Sequence, residues 1–508
     1  MSFETMSQHW LQCLKPGLVL LICLIISGCA TPPRPGPSVH INAPGERGHC
    51  AQFFLTLDLL TDQTHSLDAG DGRVEGYPYL RVNRLLASFR NETADSPAFN
   101  TWLDHLQKLD LKARSFEISN LPMDLIQQHF SGMNIEALNS KVRDCGDLLK
   151  GHDFKQPAQR QQLKTLTFVD TEYHPLPQAL GIYPLSRLLV TMGVNKWQTQ
   201  ARKAFSNHPP QYARSQHYIY SGPRPTLSKL QQMLQSTPQD VLGIPRYSST
   251  TLDALFARYS PAWIVKQHSD DDRIGTPYWL SSDQPSVNPE HPVTYTRLSF
   301  TRFRGAVLTQ LNYIIWFPAR TSQHVFDLYS GTLDGVNLRI TLNSKGHPLL
   351  YETIHNCGCF YKAFPTAQLL TNPSIDYPEP PLILSAPTLD NSTQVLAVAM
   401  QNATHYVQHL YPAPALNARS TMDYTLGDYQ QLRSLEHQTG DRKSLFNSLG
   451  TVTNTERMER YILWPTGVYS PGAMRQWGRQ PVAFAGERHF DDPYYMEKMF
   501  TPANPSGS

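Results

Sequence analysis

The sequence predicts an α+β fold: a mainly helical N-terminal region, then mixed α/β and antiparallel β-rich regions. Three observations predict it. Between Gln52 and about Lys155 apolar residues recur at three- and four-residue spacing, the pattern of one helix face. In "VNLRITLN" the residues Val336, Leu338, Ile340 and Leu342 alternate with Asn337, Arg339, Thr341 and Asn343, the period of a strand with one buried face. The chain also holds 40 prolines and 24 tyrosines, a supply of turns and extended segments that a helical bundle does not use.

The elements follow in chain order. Residues 1–28 read as a signal peptide: a polar start with Lys15, then the apolar run "LVLLICLII" from Leu18 to Ile26. That run is shorter than the roughly 20 residues a permanent spanning helix takes and suits a signal-peptide core. Ile26-Ser27-Gly28-Cys29 resembles the lipobox of bacterial lipoproteins. The resemblance implies that Cys29 is diacylated, becomes the first residue after cleavage and is then N-acylated. Ala30 stands where the sorting rules of such lipoproteins place an aspartate for retention at the inner membrane. The expected address is therefore the outer membrane, with the body in the periplasm. Several acyl chains on one cysteine hold a protein to a bilayer where a single chain does not. Residues 29–48, the lipidated cysteine and "TPPRPGPSVHINAPGERG", are proline-rich and nearly free of apolar side chains, a semi-rigid tether of roughly 3 Å per residue.

Residues 49–155 read as a mainly helical domain, carried by "AQFFLTLDLLTDQ", "YLRVNRLLASFRN" and "FNTWLDHLQKLDLKARS"; the "DAGDGRVEG" between the first two is a turn. Residues 156–275 alternate strand-like pieces such as "LKTLTFVD" with helical ones, "PTLSKLQQMLQ" and "TLDALFARYSP". Asp270-Asp271-Asp272 reads as a solvated acidic turn. Residues 276–370 are antiparallel and β-rich. Two strands meet near Arg304-Gly305, and "VNLRITLN" turns through Asn343-Ser344-Lys345-Gly346 into "PLLYETI". Residues 371–500 form a C-terminal α+β region, and 501–508 a tail disordered by composition.

Composition narrows the function classes. A formal net charge of +2 with 17% charged residues provides no field for nucleic acid, so the expected partners are the membrane, through the lipid anchor, and proteins of the envelope. Of the seven cysteines, Cys13 and Cys23 leave with the signal and Cys29 is acylated. Four remain for an oxidising compartment, compatible with two disulfides in three connectivities. Cys50 and Cys145 sit at opposite ends of the helical region, where a disulfide would staple it.

That pairing leaves Cys357 and Cys359, in "YETIHNCGCFYKAFP", to each other. Two thiolates with His355 nearby could hold Cu or Zn, with His405, His409 or His489 completing the shell. A Cys-x-Cys disulfide would instead be a strained redox pair, and the third reading is structural. His405 and His409 could chelate one ion on a helix, but on a strand they lie about 13 Å apart at ~3.3 Å per residue; "HYVQHLY" reads as strand. In "GERHFDDP", Glu487, His489 and Asp491 assemble the residue types of general acid–base chemistry, or else an ion-paired loop. Trp464, Met474 and Trp477 read as core or interface. The sequence contains no Gly-x-Ser-x-Gly, His-Glu-x-x-His, Gly-x-x-x-x-Gly-Lys or Gly-x-Gly-x-x-Gly.

With its lipobox, "YPYLRVNRLLASF", "HNCGCFYKAFP", "SPGAMRQWG" and "GERHFDDP", the chain resembles large uncharacterised outer-membrane lipoproteins of Gram-negative bacteria. The resemblance implies an address and no chemistry. The expected function is that of a lipid-anchored, non-catalytic binding or structural component of the envelope. Two alternatives stand beside it: Cu or Zn binding or trafficking centred on His355, Cys357 and Cys359, and hydrolysis using His489 with Asp491 or Glu487.

Overall fold

A computed structural model describes residues 38–93, 96–324, 326–375, 377–389, 394–414, 421–437 and 440–503. The signal segment and residues 29–37 of the tether, Cys29 among them, lie outside the described residues, whereas Glu46, Arg47 and Gly48, expected at the tether's end, already belong to the first helix. Pro35–Ser508 forms one compact unit.

The N-terminal layer begins with α1 (Glu46–Gln63), followed by a hairpin of β1 (Gly72–Val74) and β2 (Tyr77–Val82) and by α2 (Arg84–Ser88) and α3 (Ser96–Ser119). The hairpin corrects the helix expected through "YLRVNRLLASFRN". Gly76, at φ 77°, reverses the chain so that Arg81 pairs with Arg73. Asn83 then accepts from the Leu86 amide at 2.9 Å and starts α2 one residue later. Helix α4 (Ile135–Asp153) packs on α1 and is joined to it by the expected Cys50–Cys145 disulfide, Cα atoms 5.2 Å apart. Phe54, Leu57, Trp102, Leu106 and Leu138 fill the core between them.

"LKTLTFVD" is the second correction. Its first half belongs to α5 (Pro157–Leu166), where Pro157 occupies the first turn and Gln156 and Gln159 form a capping box that apolar alternation does not reveal. Helices α6 (Pro175–Leu180) and α7 (Tyr183–Ser206) form an arm along the body. Next come β3 (Ser215–Ile219), α8 (Leu227–Gln235), α9 (Ser249–Tyr259) and β4 (Ala262–Lys266). Both helices match their expected segments, with Thr226 and Ser248 as N-caps.

The rest of the body is built mainly on two sheets. The larger is built on β5 (Val293–Phe303), β6 (Ala306–Arg320), β7 (Gly331–Leu342), β8 (Pro348–His355) and β9 (Lys362–Pro365), all antiparallel neighbours. Its reversals fall where the sequence places them, at Arg304-Gly305 and at Asn343–Gly346. After β10 (Leu369–Thr371) come β11 (Leu382–Ile383), parallel to β9 at one edge, β12 (Gln394–Met400), β13 (Val407–Pro414), β14 (Thr421–Asp423) and β15 (Thr425–Asp428) at the other edge beside β5. The smaller sheet runs β13-β12-β4-β3-β14. Tyr313, Ile315 and Phe317 of β6, Val336 and Leu338 of β7, Trp263 of β4 and Met400 of β12 fill the core between the sheets.

The larger sheet is buried on both faces, not one. Asn337, Arg339 and Thr341 of β7 are buried as well, and the C-terminal segment reaches this face. Trp477 Nε1 donates to Asn312 Oδ1 at 3.1 Å, and Arg339, bidentate to Glu352 at 2.6 and 2.7 Å, stacks 3.6 Å from the Phe490 ring centroid. Short α10 (Arg460–Leu463) lies in this segment, and β16 (Phe500–Pro502) pairs with β10, so the start of the expected disordered tail is ordered. Met474 and Trp477 are core, whereas Trp464 is 43% exposed.

Candidate functional site

Strand β8 delivers His355 to a tight turn. The Gly358 amide donates to His355 O at 2.7 Å and the His355 amide to Cys359 O at 3.0 Å. Gly358 has φ 99°, and a Cβ there would lie 2.3 Å from Pro481 O, so glycine is required on both counts. Cys357 and Cys359 are free thiols, and the Cys359 amide lies 3.4 Å from Cys357 Sγ. The side-chain hydrogen bond to Cys357, reinforced by burial, holds the Cys359 thiol well above its ordinary range. A neutral thiol is a poor nucleophile and a poor ligand.

Among the described residues, three candidate metal-ligand atoms lie within 4.8 Å of one another only at His40, His152 and Asp153. His355, Cys357 and Cys359 share a turn but form no such group. The cluster on α4 is already satisfied: Asp153 accepts from His40 and, at 2.6 Å, from Tyr79, and the Arg47 guanidinium lies 3.1 Å from His152 Nε2, where it opposes a cation.

His355 opens a buried chain of alternating imidazoles and carboxylates. Its Nδ1 lies 3.2 Å from Asp334 Oδ1; Asp334 Oδ2 is 2.9 Å from His405 Nδ1; and His405 Nε2 is 3.5 Å from Asp272 Oδ1. Asp334 comes from β7, His405 from the turn before β13. Asp272 comes from the acidic turn, of whose three aspartates only Asp270 is exposed as expected. Asp272 is fully buried and accepts the amides of His268, Ser269 and Ala403. Burial opposes ionisation of Asp334, but His355 and His405 outweigh it and hold the carboxyl well below its usual range. Burial likewise disfavours charge on His405, yet its bonds to Asp272 and Asp334 raise it. His355 goes the other way, lowered to about 4 by burial and by Arg320 and Lys362 against the pull of Asp334. The two carboxylates thus favour the charged form at His405, while burial favours the neutral form of His355 at the chain's end.

Above that end lies a cleft of about 330 Å³. Its walls are α7, α10, the Pro380–Leu382 segment and the Gly358–Tyr361 turn, with Val194, Trp197, Phe360, Leu463 and Phe484 among the apolar lining. Phe360 links cleft to chain: its ring lies 5.5 Å from Trp197 and 5.1 Å from His355. Two perturbed groups flank it. Burial pushes the Glu459 carboxyl up to about 7, against Arg320 and Arg457, and burial alone brings Lys362 down to about 7; its ammonium lies 5.3 Å from the Trp197 ring centroid. An apolar cleft with a few converging polar groups of shifted pKa has the physical character of a ligand site. A wider depression of about 1050 Å³ lies at Pro210–His217 and Gln267–Asp270; burial lowers His217 and raises Tyr212 there.

The remaining sequence candidates are not brought together. His405 precedes the strand at φ 51° and is stacked 3.8 Å from Phe317, while His409 lies on β13 with its Nε2 3.2 Å from Asn207 O. His489 is buried and lowered to about 2 by burial and by Arg84, Arg479 and Lys498; its Nε2 accepts from the Glu172 amide at 3.2 Å. Asp491 is paired with Arg84 at 2.9 Å and Glu487 accepts from Thr171 at 3.4 Å, the arrangement of an ion-paired loop and not of the alternative in which His489 works with either carboxylate. Asp272, Asp334, Glu459 and Lys362 are absent from the sequence candidates. The one signal available was Asp334, an acid inside a strand that is otherwise buried.

No protein-family model, curated protein or solved structure matches this chain.

Proposed function

We propose that the protein is a lipid-anchored binding protein of the bacterial envelope, held at the outer membrane through Cys29, which takes an amphiphilic ligand in the cleft between α7 and the Cys357–Cys359 turn. The cleft carries this reading. Its volume of about 330 Å³ suits a small ligand, its lining is mainly apolar, and Glu459 and Arg488 supply the polar contacts. The chemistry beneath it favours binding over turnover: Cys359 is held as a thiol, and among the described residues no carboxylate pairs with His489.

Protein isolated from membranes should release an amphiphile on denaturation, detected by mass spectrometry. Val194→Trp, which fills the cleft, should release none while melting like the wild type. Equal recovery from both, or recovery from neither together with no uptake of a fluorescent fatty acid, would reject the cleft as the site. The anchor is checked separately by the mass of the mature N-terminal peptide: an acylated Cys29 is expected, and an unmodified one defeats that half of the reading.

A further inference from the structure

Helix α7 faces the cleft on one side only. Along another side Leu185, Leu188, Leu189 and Met192 occupy positions i, i+3, i+4 and i+7, a single stripe, exposed by 64, 60, 73 and 68%. A helix on a water-soluble surface turns such a stripe inward. Here the one buried residue of the 24 is Gln198.

The stripe continues onto neighbouring chain. Gln178 donates to Thr466 O at 3.0 Å and the His174 amide to Gly467 O at 2.9 Å, which fixes α6 against the segment following α10. On α10 and just after it Tyr461, Ile462 and Trp464 are also exposed. Tyrosine and tryptophan combine an apolar body with a polar edge and favour the boundary between lipid and water. Charge identifies the occupant. From Pro175 to Ser206 the chain carries Arg187, Lys196, Arg202 and Lys203 and no aspartate or glutamate. Apolar association alone does not call for charge of one sign, whereas an acidic lipid surface attracts it.

We propose that this arm and α10 seat on a bilayer surface bearing acidic phospholipid headgroups, the leucine stripe entering the headgroup–acyl boundary and the basic side chains meeting phosphates. The seat is independent of the acyl chains on Cys29 and adds a second attachment to them. Leu189 and Ile462 belong both to the exposed face and to the rim of the cleft, so docking turns the cleft mouth toward lipid.

The test is flotation of the compact unit Pro35–Ser508, which includes every described core and lacks Cys29, with vesicles of phosphatidylcholine alone or mixed with phosphatidylglycerol. Binding to the mixed vesicles, weakened by salt, is expected. Leu188→Asp with Met192→Asp should weaken it about tenfold or more. Lys196→Glu with Lys203→Glu should abolish the preference for phosphatidylglycerol. Both variants should keep the wild-type melting temperature, since the replaced side chains are exposed. Failure to float with mixed vesicles, or unchanged binding by the double aspartate variant, overturns the proposal. So does a dimer in solution that this variant dissociates without any vesicle binding, which would assign the face to a second copy. Vesicle binding by a protein whose cleft proves empty would leave the docking face standing while the cleft reading fell.

Discussion

His405 Nδ1 lies 2.9 Å from Asp334 Oδ2, although 71 residues separate them in the chain. The contact fastens the turn before β13 in the smaller sheet to β7 in the larger. Asp334 is fully buried and also faces His355 at 3.2 Å, so one carboxylate serves two imidazoles.

Asp334→Ala removes that carboxylate and leaves the raised His405 without one of its two anions. Breaking a buried pair from one side costs about 3–5 kcal/mol. Urea unfolding should report a loss of that order with an unchanged slope. A loss below about 1 kcal/mol would mean that the remaining partner, Asp272, suffices.

Acid should weaken the fold in a window that His355 helps to define. Its folded pKa is about 4 against an ordinary 6.5, so the unfolded chain takes up a proton through this window that the folded one refuses. Stability is therefore lost as pH falls from 6.5 toward 4, by about 3 kcal/mol for this group if fully expressed. Unfolding free energies of wild type and His355→Gln across this range should differ in slope by about one proton. Parallel curves would remove His355 from the account, leaving His489, which is lowered still further.

Glu459 predicts the opposite sign. Its folded pKa is about 7 against 4.5, so its contribution is fully present below pH 4.5 and is lost as pH rises through 7. Glu459→Gln should be more stable than wild type at pH 8, by up to about 3 kcal/mol, and the two should converge at low pH. A uniform offset at all pH values would point to packing instead of ionisation.

The Cys50–Cys145 bond closes a loop with a sequence separation of 95. In the chain-entropy account, a loop of that length contributes about 4.7 kcal/mol. Cys50→Ser with Cys145→Ser should lower the melting temperature by an amount consistent with this. An unchanged melting temperature would show that the α1–α4 packing carries the N-terminal layer alone.

Local chemistry made much of the fold legible. The Arg304-Gly305 and Asn343–Gly346 reversals follow from turn residues flanked by alternating strands, and α8 and α9 from their periodicity and caps. Tyr77–Val82 and Leu163–Leu166 failed for one reason: a reversal at Gly76 and a capping box at Gln156 decided each segment from outside the window in which periodicity was read. The second buried face of β7 is a long-range effect. Arg339 looks solvated until Phe490, more than a hundred residues later, covers it. The candidate site was legible as the Cys357–Cys359 turn and not as the cleft. Asp272, Asp334 and Glu459 sit far apart in sequence, and their pKa values are set by the burial that folding creates.

The pairing of β16 with β10 and the cover that residues near 477–490 place over the larger sheet put an order on assembly. While the chain is still emerging from its N-terminal end, the polar side of β6 and β7 has nothing to rest against. The final strand that locks β10 arrives only with Phe500–Pro502. Covering of the larger sheet thus waits for residues 477–490, so a chain stopped before residue 477 leaves that sheet open and exposed to association with other chains.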